Sequence, residues 1–223
     1  MFKGRAADGT RHVAATVAMS HEVPDAAPFR VACVVLAAGA GTRFGEPKAG
    51  ALLRPNVRFV DAVVETARRA GAHPIVVVGA PGLSLPSETI GVSNVNARGE
   101  QIQSLRLGLA RLVSVAVGGA LAWPVDHPYV GVDSVVAIIE AAKRTRAPIV
   151  LPTFEGRRGH PVYFSRDCWQ ELATVREGGA RTVVHGHAAE LLEVQVPDIG
   201  VVRDIDDRAD MTNGQGARGN AVS

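Results

Sequence analysis

Cysteine is scarce in this chain: Cys33 and Cys168 are the only two among 223 residues. Neither sits in a CxxC pair or a Cys/His spacing. The sequence therefore offers no disulfide frame and no zinc site, and it fits a reducing cytoplasm. No apolar run approaches the roughly 18–20 residues that span a bilayer. Residues 13–19, VAATVAM, come nearest to a secretory core. They are short and weakly hydrophobic, with no clear charged leader or cleavage site, so no export signal is read. An excess of one charge is also missing: 24 Lys and Arg against 22 Asp and Glu leave a formal net charge of +2. The basic residues are scattered, which gives no footprint for nucleic acid. No internal repeat is visible. What remains is an ordinary globular composition, 47% apolar and 21% charged, sufficient for one domain of good size with its own core.

Residues 1–29 mix Gly, Pro, Asp and Arg without sustained periodicity, and residues 212–223 read TNGQGARGNAVS. Both are expected to be flexible extensions flanking a single domain over residues 30–211. Within that domain, apolar runs of strand length alternate with helical stripes. VACVVLAA (31–38), IVVVG (75–79), ALAWPV (120–125) and PIVLP (148–152) read as strands buried on both faces. Val60, Val63, Val64 and Ala67 form one stripe of a helix stopped by Gly71, and Ile102, Leu105, Leu109 and Leu112 form another. A third helix is expected to begin at Asp133. Farther on, 160–165 and 191–196 read as strands and 166–175 and 180–186 as short helices. The alternation predicts an α/β fold: a three-layer αβα sandwich around a mostly parallel, Rossmann-like sheet.

Residues 35–48, VLAAGAGTRFGEPK, run a strand into a Gly-rich turn that carries Arg43 and Lys48. A Walker A loop requires Lys directly after its second Gly, and here Glu46 follows Gly45. A dinucleotide fingerprint is met at Gly39 and Gly41. Phe44, however, occupies the place where a third Gly lets helix and strand pack closely. Asp61, near the ribose-binding distance, falls inside a helical stripe. A third arrangement keeps the physics of an anion site. Gly39 and Gly41 let backbone N–H groups converge, and Arg43 and Lys48 add charge within the same loop. Two cations and an amide nest suit a triphosphate. The alternative, a plain turn with solvated charges, suits a lone AGAG better than this set.

This stretch resembles the signature of the nucleotidyltransferases related to the molybdenum cofactor guanylyl- and cytidylyltransferases, the MobA-like NTP transferases. Leu36, Ala37, Ala38, Gly39, Gly41, Arg43, Phe44, Gly45 and Lys48 meet its fixed positions. GEQIQSLRLGL (99–109) is similar to the family's segment near the base, and PVDHPYV (124–130) to its Asp-x-Pro motif. GRRGHPVYFSRDCWQEL (156–172) and RDIDDRADM (203–211) are similar to segments of the cytidylyltransferase, MocA-like branch. The resemblance spans about residues 31–211 and implies a fold of the nucleotide-diphospho-sugar transferase type. Two departures stand out: Asn56 replaces a turn Gly, which Asn tolerates in the left-handed region, and Asp207-Arg208-Ala209 replaces Thr-Pro-Glu.

Nucleotidyl transfer attacks the α-phosphorus of an NTP and expels pyrophosphate, so the protein aligns reactants, neutralises phosphates and holds magnesium. Magnesium takes one or two carboxylates. Asp126, directly after a strand, is the expected metal carboxylate. The competing role, capping the next helix, is better suited to Asp133. Arg43 and Lys48 are expected to neutralise the phosphates, and Ala37, Ala38, Gly39 and Gly41 to supply backbone contacts to the nucleotide. Ser104 contacts base or ribose, or is a plain helix position. For His160 the resemblance implies proximity to the active site, with metal ligand and substrate contact both open. Arg157 and Arg158 meet an anionic acceptor or form a solvated loop. Asp206, among Asp204, Asp207 and Asp210, is the candidate second metal carboxylate, in a run that otherwise reads as a solvated face. His185 and His187 read as a surface turn, and Cys33 and Cys168 as packing residues.

The expected activity is transfer of NMP from an NTP, CTP favoured, to a phosphorylated acceptor such as the molybdopterin cofactor, with Mg2+ as cofactor. A molybdoenzyme recipient is a possible partner; no nucleic acid or membrane is expected, and the compartment is cytoplasmic. The alternatives are transfer to a sugar or alcohol phosphate, and a non-catalytic nucleotide-binding or cofactor-delivery protein.

Overall fold

The structure is a computed structural model that describes residues 29–39, 47–96 and 101–212. Of the expected extensions at residues 1–29 and 212–223, residues 1–28 and 213–223 lie outside the described residues, as do Gly41, Arg43, Phe44 and Gly45 of the loop. The strands are β1 (Val31–Ala37), β2 (Leu52–Arg54), β3 (Val57–Arg58), β4 (Ile75–Gly79), β5 (Ile90–Ser93) and β6 (Gly119–Pro124), then β7 (Ile149–Phe154), β8 (Arg157–Arg158), β9 (Val162–Ser165) and β10 (Leu192–Gln195). The helices are α1 (Phe59–Arg69), α2 (Gln101–Leu112), α3 (Val132–Thr145), α4 (Trp169–Thr174), α5 (Ala180–Gly186) and α6 (Arg208–Thr212).

The period of two in the strands divides the core in two. Cys33 and Val35 of β1, Ile75 and Val77 of β4, and Leu121 and Trp123 of β6 face one apolar cluster, which α1 and α3 cover. Ala32 and Val34, Val76 and Val78, and Ala120 and Ala122 face the other, which α2 and α4 cover with Val183 of α5. Strands read as continuous apolar runs because both their faces are covered. The expected stripes of α1 and α2 are the buried ones. The result is the expected three-layer sandwich.

The main sheet runs β10-β7-β9-β6-β1-β4-β5, with β8 paired to β7. β1 is parallel to β4 and β6, β4 to β5, and β7 to β10, whereas β9 is antiparallel to β6 and β7. The chain leaves β1 for β4 on one side and later returns to β6 on the other. The carboxyl ends of β1 and β6 therefore bracket the crevice where open α/β sheets bind ligands.

Two features have no strand signal in the sequence. β5 is an edge strand whose residues alternate half-buried and exposed, so it lacks the apolar run of an interior strand. β2 and β3 form a short hairpin turned at Asn56, whose φ of 60° is the left-handed conformation expected there. Gly71 likewise ends α1 with φ +85°. The assignment of Asp133 as a helix cap is corrected: Gly131 occupies the N-cap, and Asp133 lies in the first turn. The anchoring carboxylate comes from far along the chain. Asp198 Oδ2 accepts from Gly131 N and Ser134 Oγ, each at 2.8 Å, and its Oδ1 accepts from Gly200 N at 2.9 Å. No described helix is long and apolar enough to cross a membrane.

Candidate active site

β6 delivers Asp126 to the crevice and the backbone holds it there. Val125 N donates to Leu36 O at 3.2 Å, Ile205 N to Asp126 O at 2.9 Å, and Trp123 Nε1 to His127 O at 3.1 Å. Both Trp123 and Ile205 are fully buried, so this turn is braced from two sides of the core. The Asp126 side chain is one-quarter exposed; its buried Oδ1 has no hydrogen-bond partner among the described residues, and His127 Nε2 lies 3.9 Å from it. Burial raises its carboxyl above the ordinary value, against the pull of Lys48 and His160. An oxygen buried in this way leaves the carboxylate incompletely satisfied by the described residues, because desolvated charge is costly unless it is paired. The donor set suits a hard cation. Among the described residues no group of three or more metal-ligating side chains converges, so a cation held here would need ligands from outside the protein.

Lys48 opens a 3-10 turn, Lys48–Gly50, directly after Pro47. Its side chain is only 12% exposed, and Nζ lies 3.3 Å from Asp206 Oδ1. The acidic run after residue 203 is therefore more than a solvated face. Asp206 reaches Lys48, and Asp207 Oδ1 accepts from Ala209 N and Asp210 N at the start of α6. Asp210 Oδ2 accepts from Asp206 N and Asp207 N, bonds that hold its carboxyl below the ordinary range. Asp204 is exposed, and its charge is felt by Asp126, His127 and His160.

His160 joins the same centre. Its N–H donates to Val201 O at 2.7 Å, and Gly159 N donates to Pro152 O at 2.9 Å. Gly159 is required here, because a Cβ would collide with the Val201 carbonyl. The His160 ring lies 4.7 Å from that of His127, tilted by 51°. Its Nδ1 is buried without a hydrogen-bond partner among the described residues. Burial first, then His127, pushes His160 down to about 4, against Asp126 and Asp204. The imidazole is therefore neutral near pH 7. Burial lowers His127 as well.

The other expected residues separate. Ala37 and Ala38 are buried at the end of β1, and a Cβ on Gly39 would meet nothing within 4 Å among the described residues. Ser104 is buried on α2, and its hydroxyl accepts from Asn94 Nδ2 at 3.0 Å. Asn94 in turn donates its N–H to Gly79 O, tying the ends of β4 and β5. Arg158 forms an ion pair with Glu193 at 2.7 Å, while Arg157 is exposed. His187 pairs with Glu171 at 2.9 Å. Cys33 and Cys168 are buried free thiols, as expected of packing residues. Beside the centre, on the α2 and α5 side of the sheet, a cleft of about 570 Å³ is bordered by Leu36, Pro124, His160, Arg158 and Arg181.

Sequence reasoning passed over His127 and the Gly178–Arg181 stretch, and it gave Asp204 no role of its own. His127 had a signal, its position next to Asp126; the paired glycines 178 and 179 were the signal for the second.

The chain matches the MobA-like NTP transferase domain over residues 33–214. A relative in Mycolicibacterium paratuberculosis (strain ATCC BAA-968 / K-10), named "Probable molybdenum cofactor guanylyltransferase", is 25% identical over 82% of this chain and 94% of its own. Rv0371c of Mycobacterium tuberculosis H37Rv superposes with a TM-score of 0.67 at 25% identity, over 83% of this chain and 97% of that one. The fold is also shared with the 2-C-methyl-D-erythritol 4-phosphate cytidylyltransferase of Thermus thermophilus, at TM-score 0.60 and 16% identity over 83% and 97% of the two chains. With its sheet, its strand-end carboxylate and the family match over most of its length, the chain belongs to the MobA-like NTP transferase family, whose members are nucleotidyltransferases.

Proposed function

We propose that the protein is a magnesium-dependent nucleotidyltransferase that transfers NMP from an NTP, CTP favoured, to a phosphorylated acceptor such as the molybdopterin cofactor. The observation that carries this reading is Asp126: a largely buried carboxylate with a donor-free oxygen at a strand end, next to Lys48. An acceptor phosphate oxygen bonds to the α-phosphorus, the bond to the β-phosphate bridging oxygen breaks, and pyrophosphate leaves. Lys48, released from Asp206, meets the phosphates and the charge that grows on the leaving group. Arg43, Ala38, Gly39 and Gly41 would line the same phosphate path. Asp126 would hold the magnesium ion, with Asp206 as a second carboxylate; the ion supplies charge neutralisation of the phosphates. Neutral His160 and His127 keep this side of the centre free of competing positive charge. Ser104, held by Asn94, shapes the wall on the base side. The product would pass to a molybdoenzyme in the cytoplasm.

The Gly-His-Pro segment at 159–161 and the acidic terminal segment favour CTP. The guanylyltransferase name of the relative favours GTP as the second reading. The deciding experiment measures pyrophosphate release with each NTP, magnesium and molybdopterin. Turnover with CTP well above GTP and ATP is expected. GTP turnover would move the assignment to the guanylyl branch, and nucleotide binding without turnover would support a delivery protein instead.

A further inference from the structure

The loop after β6 and the segment after β10 run side by side in opposite directions. At one end Ile205 N donates to Asp126 O at 2.9 Å. In the middle, Gly200 lies so close to the loop that a Cβ would collide with the Tyr129 carbonyl oxygen. The Arg203 guanidinium also stands 5.6 Å from the centre of the Tyr129 ring. At the other end Gly131 N donates to Asp198 Oδ2 at 2.8 Å. The partners thus descend from residue 205 to residue 198 as the loop climbs from 126 to 131. Neither segment belongs to a strand, so the register depends on these few contacts.

Asp198 closes the far end with both of its oxygens. Oδ2 accepts from Gly131 N and from Ser134 Oγ, each at 2.8 Å, and Oδ1 accepts from Gly200 N at 2.9 Å. Three donors converge on it. The set suits a carboxylate, since an amide would turn an N–H toward one of them. As a cap alone, this side chain would serve the start of α3 and the 3-10 turn. What it joins gives it a larger part. The segment it fixes supplies Val201 O, which accepts from His160 N at 2.7 Å. It also supplies Asp206, 3.3 Å from Lys48 Nζ. The loop it fixes carries Asp126 and His127, and the Gly200 backbone lies within reach of the His127 ring. Side chains from separate stretches of the chain therefore take their places in the centre from one shared register.

We propose that Asp198 is a positioning residue for this centre. By locking the segment after β10 onto the loop after β6, it sets where Asp126, His127 and His160 stand relative to one another. It touches no reactant. The link to catalysis rests on the nucleotidyltransferase reading above; the link to geometry does not. Asp198→Asn keeps the size of the side chain and one accepting oxygen, but it turns an amide N–H toward a donor, so one part of the joint is lost. The loop then shifts along the segment, and small displacements in a catalytic centre are costly.

The test is NMR of the full-length protein, without NTP or metal, with isotopically labelled histidine rings. The His127 and His160 signals are assigned from the His127→Gln and His160→Gln variants. Asp198→Asn is expected to shift both signals. Ser134→Ala, which removes a single bond, is expected to shift them less and in the same direction. Asp61→Ala is the comparison, because it loosens the start of α1 instead; it is expected to leave both signals in place. In pyrophosphate release, Asp198→Asn is expected to lose about tenfold in kcat with KM for NTP within about twofold, whereas Asp61→Ala keeps the wild-type kcat. Signals that stay in place in Asp198→Asn, or that move equally in Asp61→Ala, overturn the proposal. So does an Asp198→Asn enzyme with wild-type kcat. If Asp198→Asn does not fold, Ser134→Ala carries both measurements under the same criteria. Absence of pyrophosphate release by the wild type overturns the nucleotidyltransferase reading instead, and the histidine signals still decide the geometry.

Discussion

Asp126 has a buried oxygen that no donor among the described residues reaches, so its charge costs stability that a bound cation would return. Asp126→Asn is therefore expected to lower turnover by about a hundredfold or more while raising the melting temperature of the ligand-free protein at neutral pH. Steady-state pyrophosphate release and thermal melting check the two halves; a variant that loses both activity and stability would count against the metal role. Asp61 shows the opposite situation. Its carboxylate accepts from Arg58 Nε at 2.8 Å, Nη2 at 2.7 Å and the Arg58 backbone N at 3.1 Å. The side-chain bond to Arg58 is the main reason its carboxyl is held below the ordinary value. A depressed folded-state value contributes stability that is complete above the unfolded value of about 3.9 and is lost as pH falls through the folded one. Asp61→Ala is expected to cost about 1 kcal/mol at neutral pH. Urea titrations should show that cost shrinking once the medium is acid enough to protonate Asp61 in the folded state. The residue at the spacing of a ribose ligand thus serves to anchor the start of α1.

At the scale of elements, the centre depends on a join between the segment before β9 and the 3-10 turn at Ile199–Val202. Gly159 lies against the Val201 carbonyl and the next residue is His160. Gly159→Ala adds one methyl that has no space, so the two segments must part and His160 must move. Turnover is expected to fall by about tenfold or more even though no reacting group has changed, since small misplacements in a catalytic centre are costly. A Gly159→Ala enzyme with unaltered kinetics would show that His160 position is immaterial to the reaction. Asp198 performs a related joining task, binding the start of α3 and the same 3-10 turn with one carboxylate.

At the scale of the molecule, Cys33 at the centre of β1 and Cys168 below Pro148 are both buried, and burial pushes both thiols up. A thiol reagent is expected to leave both unmodified until the sheet opens, so the rate of labelling should follow denaturant-induced unfolding. Fast labelling of Cys33 in native buffer would mean that β1 is accessible. The core itself was legible because interior strands and amphipathic helices show their burial as local pattern: VACVVLA and the Val60–Ala67 stripe announce their own environment. β5 was not legible, since an edge strand with one covered face needs no apolar run.

The sequence by itself determined the alternation of strands and helices and the place of Asp126 after a strand, because each depends on neighbours along the chain. Tertiary structure decided the rest of the centre. That Lys48 meets Asp206, that His160 stands against His127, that Asp198 rather than Asp133 anchors α3, and that Arg158 pairs with Glu193 are facts about segments far apart in sequence. The physical reason is range. Strand and helix signals arise within a few residues, whereas ion pairs and desolvation arise between side chains that only the closed sheet brings together.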